Sequence, residues 1–236
     1  MTSGSRARIA LFIGAVVVAL GAMTVGNMRA SESAVVLPLP ALDLADQQGE
    51  QTIVIAGGCF WGVQAVFQHT QGVIQAVSGY AGDSKDKANY KLVSTGQTRH
   101  AEAVQIRFDP KKISYGKILQ IFFSIAHDPT QVDQQGPDIG PHYRSAIFYA
   151  NADQQRVAQA YVRQLDDQKA FRVPIATKID RLEAFYPAEA YHQDYATLNP
   201  NQPYIVYHDR PKIENLKRLM PDTYRATPVL VRSASR

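Results

Sequence analysis

The 236-residue sequence predicts an α+β fold around one hydrophobic core. Short β-branched runs alternate with stretches whose apolar residues recur at helical spacing, and glycine or proline separates these segments without any internal repeat. The apolar fraction of 45% is that of an ordinary globular protein. The length therefore allows one well-packed domain with appendages.

The first six elements are predicted in the order β-α-β-β-α-β. A β-branched strand at 52–56 is followed by a helix with one apolar face, and Ser114 is placed to cap the second helix. The remaining three elements are strands at 73–77, 101–108 and 145–150. This order is that of a ferredoxin-like α/β plait.

Further elements extend this core toward the C-terminus. A long polar helix is predicted at 153–169 and a fifth strand at 176–185. Asp209 and Pro211 stand at the N-cap and near the N1 position of a short final helix. The predicted limits are 52–226 for the domain with its C-terminal extension and 227–236 for a tail.

The N-terminus has the composition of an export signal. Arg6 and Arg8 precede an uncharged apolar run of 18 residues, 9–26, that ends near small residues. Because this length also just suffices to span a bilayer, residues 1–30 are predicted to be either a signal peptide or a membrane anchor. Residues 31–51 are predicted to be a linker. Either way, the domain is expected outside the cytoplasm, in the periplasm or facing it from the membrane.

Charge and cysteine content exclude two kinds of site. The formal charge is +4, but residues 1–30 hold three arginines and no acid, so the remainder is nearly neutral and has no basic run for nucleic acid. Cys59 is the single cysteine, which excludes an intramolecular disulfide and a zinc–thiolate cluster. Neither a metal nor a bound organic cofactor is expected.

Cys59 is the strongest candidate for a reactive group. It stands where the first strand gives way to a helix through Gly57 and Gly58, which allow a sharp turn with free N–H groups. The positive end of the helix should favour the thiolate and lower the pKa of Cys59. A lone cysteine is more often a small buried apolar residue, but Phe60 and Trp61 indicate an apolar slot beside the sulfur.

Glu102 is the second unusual residue. Strand alternation places it on the same face as Val104, Ile106 and Phe108, the face expected to be in the core. A desolvated carboxyl keeps its proton to higher pH and can act as a general acid. The alternative is an ion pair with a cation such as Arg99 and no catalytic role.

The connection 127–144 is long, rich in glycine and proline, and carries Asp138, His142 and Tyr143. Long connections of this kind are uncommon in compact domains and often functional, although a solvated loop is the simpler alternative. Tyr90 lies in a polar stretch between strands, where a surface aromatic is the simpler alternative.

Five motifs, taken in order, resemble the peptide methionine sulfoxide reductase A family. They are Gly58-Cys59-Phe60-Trp61-Gly62, Gly79-Tyr80-Ala81-Gly82, His100-Ala101-Glu102-Ala103-Val104, His127-Asp128-Pro129 and Tyr143-Arg144-Ser145. The resemblance covers roughly 52–200, and the cysteine motif is very specific. It implies reduction of the S epimer of methionine sulfoxide, free or in oxidised proteins, as a repair of oxidative damage.

The resemblance also implies roles for individual residues. Cys59 is the nucleophile, and Glu102 donates a proton to the sulfoxide oxygen. The other implied roles are hydrogen bonds to that oxygen from Tyr90 and Tyr143, contacts to the substrate methyl group from Phe60 and Trp61, and orientation of the substrate by Asp138.

The sequence departs from the commoner family pattern in ways that matter for turnover. His142 stands where a glutamine usually precedes the motif tyrosine, and the C-terminal recycling cysteines of many members are missing. After turnover Cys59 should be a sulfenic acid. An external thiol, from a thioredoxin-like protein or from glutathione and glutaredoxin, must then resolve it.

Two other functions fit parts of the pattern. A cysteine hydrolase or acyltransferase would activate Cys59 with His100, His127 or His142. A binding module with a vestigial site would be expected to have lost at least one of Cys59, Glu102 and the motif tyrosines.

Overall fold

The computed structural model describes residue 1, residues 34–44 and residues 47–231. The apolar run 9–26, predicted to be a signal or an anchor, lies outside the described residues. Within the described part of the chain, no helix is both long and apolar enough to cross a membrane.

A single large sheet organises the domain. Its strands are β1 (Gln51–Gly57), β2 (Val73–Ala81), β3 (Ala101–Phe108), β6 (Ser145–Tyr149), β7 (Lys178–Arg181) and β8 (Phe185–Pro187). The short strands β4 (Gln134–Gln135) and β5 (Asp138–Ile139) form a separate hairpin. The helices are α1 (Phe60–Gln68), α2 (Tyr90–Val93), α3 (Tyr115–Ile121), α4 (Ala152–Asp167), α5 (Tyr195–Leu198) and α6 (Arg210–Leu219). Two π-helical segments, Phe122–Ala126 and Ile205–Asp209, extend α3 and precede α6.

The strands lie in the order β7-β6-β1-β3-β2-β8. Every neighbouring pair is antiparallel except β6 and β7. The helices cover one face of the sheet, where Ile53, Ile55, Val104 and Ile106 join the main core cluster with residues of α1, α3 and α4. The chain is therefore of the α+β class that the sequence predicts.

Local signals predicted most of these elements. The strand predicted at 101–108 has those limits in the structure. Ser114 caps α3 by accepting a hydrogen bond from the Lys117 amide at 3.1 Å, as expected. The helix predicted at 153–169 is α4, which begins one residue earlier, after Asn151 accepts a bond from the Gln154 amide.

The prediction of one fifth strand at 176–185 is wrong, because this segment forms β7 and β8 at opposite edges of the sheet. Leu182, which follows β7, and Phe185, the first residue of β8, pack against the face of the sheet that the helices leave open. A flat sheet of six strands is about 24 Å across, whereas the four steps from Arg181 to Phe185 reach about 14 Å. The sheet must therefore curl so that its two edges approach each other.

Part of the segment predicted as a linker is packed against the domain. Leu37 is buried in the main core, and its amide donates to Ser124 Oγ at 3.1 Å. Tyr161 donates to the Pro38 carbonyl at 2.8 Å, and the Gly116 amide donates to Asp43 at 2.7 Å. Composition predicted a linker because periodicity is weak here, but one buried leucine and these tertiary hydrogen bonds hold residues 34–44 on α3 and α4.

Asp209 does not cap α6 as predicted. Its backbone is already helical, at φ −105° and ψ −41°, because α6 continues directly from the preceding π-helical segment. Its side chain makes no capping hydrogen bond and is instead directed toward α1.

Candidate active site

A cavity of about 190 Å³ opens at the start of α1. It is lined by Cys59, Phe60, Trp61, Tyr90, Glu102, Asp138, Tyr143 and Tyr204. This set includes all seven residues for which the family resemblance implies a role, although they come from separate strands, helices and loops. Tyr204 is the eighth, and the sequence reasoning missed it.

The turn before α1 positions the sulfur. Gly58 has φ of +87°, a conformation that favours glycine, and an added Cβ there would lie 2.5 Å from the Gln135 side chain. Gln135 is itself held by two hydrogen bonds to the Asp128 backbone, each 3.0 Å. The β4–β5 hairpin therefore packs directly against the turn that carries Cys59, which is 8% exposed.

The free thiol is more basic than the sequence predicts. The Trp61 amide in the first turn of α1 lowers the pKa of Cys59, as a helix start should. Burial raises this pKa more strongly, and the nearby charges of Glu102, Asp209 and Asp138 raise it further. The prediction of a lowered pKa is wrong because it considered only the helix and not the carboxyl groups brought against it.

Glu102 is almost fully buried, with 2% of its surface exposed. Burial raises its pKa to about 8, and the charges of Asp138 and Asp209 act in the same direction, while a hydrogen bond from the Phe60 amide at 3.1 Å opposes them. Arg99, the alternative ion-pair partner, instead lies 3.5 Å from Asp83. A carboxylic acid that keeps its proton at neutral pH therefore faces the cavity, as its strand position predicts.

Three phenols complete the polar side of the cavity. Burial raises the pKa of Tyr90, Tyr143 and Tyr204, so all three keep their protons and can donate hydrogen bonds. Tyr204 donates to Asp138 Oδ2. No spacing rule singles out Tyr204, because its partner lies 66 positions away in the chain.

Glu189 is a second functional residue that the sequence reasoning missed. Its carboxylate accepts hydrogen bonds from the Tyr90 amide and from the Tyr80 hydroxyl, both at 2.8 Å. It thereby holds the start of α2, and with it the Tyr90 ring, against the sheet. An isolated glutamate in a loop has no local signal that would have identified this contact.

Phe60 and Trp61 form the apolar side of the cavity. The Trp61 ring stacks on Tyr195 with centroids 3.8 Å apart, and its Nε1 donates to His192 Nδ1 at 3.2 Å. The Phe60 ring lies 5.0 Å from the same histidine. These contacts fix both rings, so the apolar wall is present before any ligand binds.

No histidine lines this cavity among the residues that the structure describes. The His127 ring is instead hydrogen-bonded to the Phe122 carbonyl at 3.0 Å and to Ser145 Oγ at 2.7 Å. His100 contacts the Ser84 carbonyl at 3.0 Å, and His142 packs on Tyr143. A hydrolase that would need a histidine beside Cys59 is therefore not supported. The described residues also contain no cluster of three or more His, Cys, Asp or Glu side chains placed to hold a metal ion.

A family model and similar proteins match most of this chain. The family model described as peptide methionine sulfoxide reductase matches residues 51–223. Peptide methionine sulfoxide reductase MsrA 2 of Mesorhizobium japonicum is 57% identical over 187 residues, covering 79% of this chain and 96% of the relative. The protein of the same name from Synechocystis is 45% identical over 209 residues, covering 87% and 98%.

Solved structures show the same relationship. Reduced Mxr1 of Saccharomyces cerevisiae superposes with a TM-score of 0.60 at 30% identity, over 72% of this chain and 95% of the yeast chain. Methionine sulfoxide reductase A of Corynebacterium diphtheriae gives a TM-score of 0.57 at 33% identity, over 73% and 87%. The family model covers well over half of the chain, and these relatives are matched over most of their length. This chain therefore belongs to the peptide methionine sulfoxide reductase family.

Proposed function

We propose that the cavity at the start of α1 is where this chain reduces methionine-S-sulfoxide, with Cys59 as the nucleophile and Glu102 as the acid. One observation carries the assignment. Cys59 is the N-cap residue of α1, and the amide of the next residue, Phe60, donates a hydrogen bond to the Glu102 carboxyl. The raised pKa of Glu102 keeps this carboxyl protonated at neutral pH. A nucleophile for the sulfur and a proton for the oxygen thus face one small cavity.

The proposed reaction balances within these groups. The Cys59 sulfur attacks the sulfoxide sulfur while Glu102 protonates the sulfoxide oxygen, which is a poor leaving group until it is protonated. The protonated oxygen then passes to the Cys59 sulfur, while the new bond between the two sulfur atoms and the bond between the substrate sulfur and the oxygen both break, which releases methionine. The proton that the Cys59 thiol loses passes to Glu102 and replaces the proton that Glu102 gave to the oxygen. Cys59 is oxidised by two electrons to the sulfenic acid, and the substrate is reduced by two.

The remaining lining residues suit the rest of the substrate. The phenols of Tyr90 and Tyr143 would donate to the oxygen, and Phe60 and Trp61 would enclose the methyl group. Asp138, which accepts from Tyr204, would orient the substrate. At about 190 Å³ the cavity is smaller than the 300–1,000 Å³ typical of drug-sized ligands, and it suits one side chain, whether of free methionine sulfoxide or of a protein.

An external thiol completes the proposed cycle. Because the chain has one cysteine, the sulfenic acid cannot form an internal disulfide. A first thiol would displace water to give a mixed disulfide on Cys59, and a second would release the Cys59 thiol. The proposed donors are a thioredoxin-like protein, or glutathione with glutaredoxin, and no bound cofactor is required.

The activity is tested by stereochemistry. We expect the protein to consume methionine-S-sulfoxide with dithiothreitol as reductant and to leave the R epimer, because its motifs resemble the A family, for which the resemblance implies the S epimer as substrate. Chromatography of the separated epimers before and after reaction measures this. Equal consumption of both epimers would contradict the proposal, and Cys59→Ser is the inactive control.

We further propose that the fold is a ferredoxin-like α/β plait with added edge strands. In its support, the four long strands β1, β2, β3 and β6 occur in the order β-α-β-β-α-β with α1 and α3. They lie side by side as β6-β1-β3-β2 with antiparallel neighbours, which is the arrangement of two interleaved split β-α-β units.

Export is the third proposal, and it rests on Arg6, Arg8 and the apolar run 9–26. We expect cell fractionation to find the protein in the periplasmic or membrane fraction, because such a segment directs secretion or anchors the chain. Mass spectrometry of the N-terminus distinguishes cleavage from anchoring. Full-length protein confined to the cytosol would be inconsistent with export, and a variant with 9–26 deleted provides that reference distribution.

A further inference from the structure

Asp209 is a fully buried carboxyl that the proposed reaction does not use. It lies at the end of the π-helical segment before α6, and its side chain packs against the first turn of α1. An ideal Cβ built on Gly62 would lie 2.1 Å from Asp209 Oδ1. The last glycine of the cysteine motif therefore leaves the space that this carboxyl occupies, three residues from Cys59.

The polar contacts of Asp209 are incomplete. Oδ1 lies 3.4 Å from Lys212 Nζ, while Oδ2 is buried and makes no hydrogen bond with the part of the chain that the structure describes. Buried carboxyl oxygens are normally paired, because an unpaired one costs free energy. An anchor with a purely structural role would be expected to pair both oxygens.

The position of this carboxyl opposes the usual effect of a helix start. The first turn of α1 presents the positive end of the helix dipole to Cys59, and a negative charge beside that turn counteracts it. After burial and the charge of Glu102, the charge of Asp209 contributes most to the raised pKa of Cys59. Burial also raises the pKa of Asp209, and Asp138 adds to this, whereas Lys212 and His208 lower it.

The charged and titratable groups around the sulfur come from every neighbouring element. They are Glu102 on β3, Asp138 on β5, the phenols of Tyr90, Tyr143 and Tyr204, and Asp209, His208 and Lys212 near α6. Asp209 differs from Glu102 and Asp138 in lying behind the first turn of α1 rather than in the lining of the cavity.

We propose that Asp209 is a positioning residue that keeps the Cys59 thiol protonated while the site is empty, by counteracting the positive end of α1. The inference rests on the proposed role of Cys59 as nucleophile. The expected consequence is that the protonated thiol reacts slowly with unrelated electrophiles, because the thiolate is the nucleophilic form.

Alkylation of Cys59 in the absence of substrate tests this. Intact-mass spectrometry should follow the reaction with iodoacetamide between pH 6 and pH 10 for the full chain and for Asp209→Asn. The variant keeps the shape and removes the charge, so the midpoint of the alkylation curve should move to lower pH by about one unit. At pH 7 the rate should rise about threefold or more, since the extra thiolate outweighs its lower intrinsic nucleophilicity.

Two further variants keep the test decisive. Asp153→Asn, an exposed residue in the first turn of α4, makes the same change in net charge and should leave the midpoint unchanged. Gly62→Ala should displace the Asp209 carboxyl without removing it, and so should also lower the midpoint. Gly62→Ala still tests the proposal if Asp209→Asn does not fold. A lower melting temperature with an unshifted midpoint in folded Asp209→Asn or Gly62→Ala would show a structural role only and overturn the proposal.

The outcome is independent of the turnover experiments. Alkylation needs no sulfoxide, so an unshifted midpoint together with normal reduction of methionine-S-sulfoxide would refute the role of Asp209 alone. Failure to reduce either epimer would instead refute the proposed function, whatever the midpoint.

Discussion

Replacing Glu102 by glutamine should lower kcat about 100-fold or more and leave the domain folded, because the amide cannot supply the proton that the sulfoxide oxygen needs. Its carbonyl oxygen can still accept the Phe60 amide, so the start of α1 should keep its geometry. Steady-state rates with methionine-S-sulfoxide and dithiothreitol measure the loss. Glu183→Gln, at an exposed surface position, is the matched control and should retain the full rate.

The same variant has a distinct pH signature. Because the pKa of Glu102 is about 8, Glu102 loses its proton as pH rises through that value, and the wild-type kcat should fall. The residual kcat of Glu102→Gln should show no such fall. An unchanged kcat with an unchanged pH profile would make Glu102 a structural residue only.

Stability should also respond to pH at this position. Folding raises the pKa of Glu102 from 4.5 to about 8, so the folded state binds its proton more tightly than the unfolded state does. The resulting stabilisation is complete below pH 4.5 and is lost as pH rises toward 8, by up to about 1.4 kcal/mol per pH unit. Glu102→Gln does not titrate, so its melting temperature should rise relative to wild type across this interval. A constant difference between the two proteins would contradict the raised pKa.

Without a reductant, the enzyme should stop after one turnover. One equivalent of methionine-S-sulfoxide should yield one equivalent of methionine and leave Cys59 as a sulfenic acid, because the chain contains no second cysteine to resolve it. Dimedone should then add to Cys59 and give a defined increase in intact mass. Excess substrate should give no further methionine.

Adding glutathione should restart the reaction through a mixed disulfide on Cys59. The restart should accelerate with pH until the thiol is ionised, because the thiolate is the attacking species. Cys59→Ser should release no methionine and form neither adduct. Methionine release from the wild type without a dimedone or glutathione adduct on Cys59 would place the chemistry elsewhere.

Much of the local structure follows from short-range properties of the chain. The limits of β3, the Ser114 cap and the turn through Gly58 depend on residues within one helical turn or one strand, so alternation and capping rules suffice to predict them. The same reasoning placed Glu102 on the core face and predicted its retained proton. The roles of Tyr90, Tyr143 and Asp138 came from the resemblance to the family, and the cavity brings these three residues together with Cys59.

Other features required the tertiary structure because they depend on groups far apart in the chain. The pKa of Cys59 combines burial with charges from Glu102, Asp138 and Asp209, whereas local sequence shows only the helix that should lower it. Likewise, the strand order places β7 and β8 at opposite edges of a curled sheet, and buried Leu37 holds the predicted linker on the helices. By itself, the sequence predicted the candidate nucleophile, the candidate acid and the α+β fold class, since these predictions use local geometry and residue type. Only the tertiary structure shows the raised pKa of Cys59 and the contacts of Tyr204, Glu189 and Asp209, because electrostatic interactions and packing act through space.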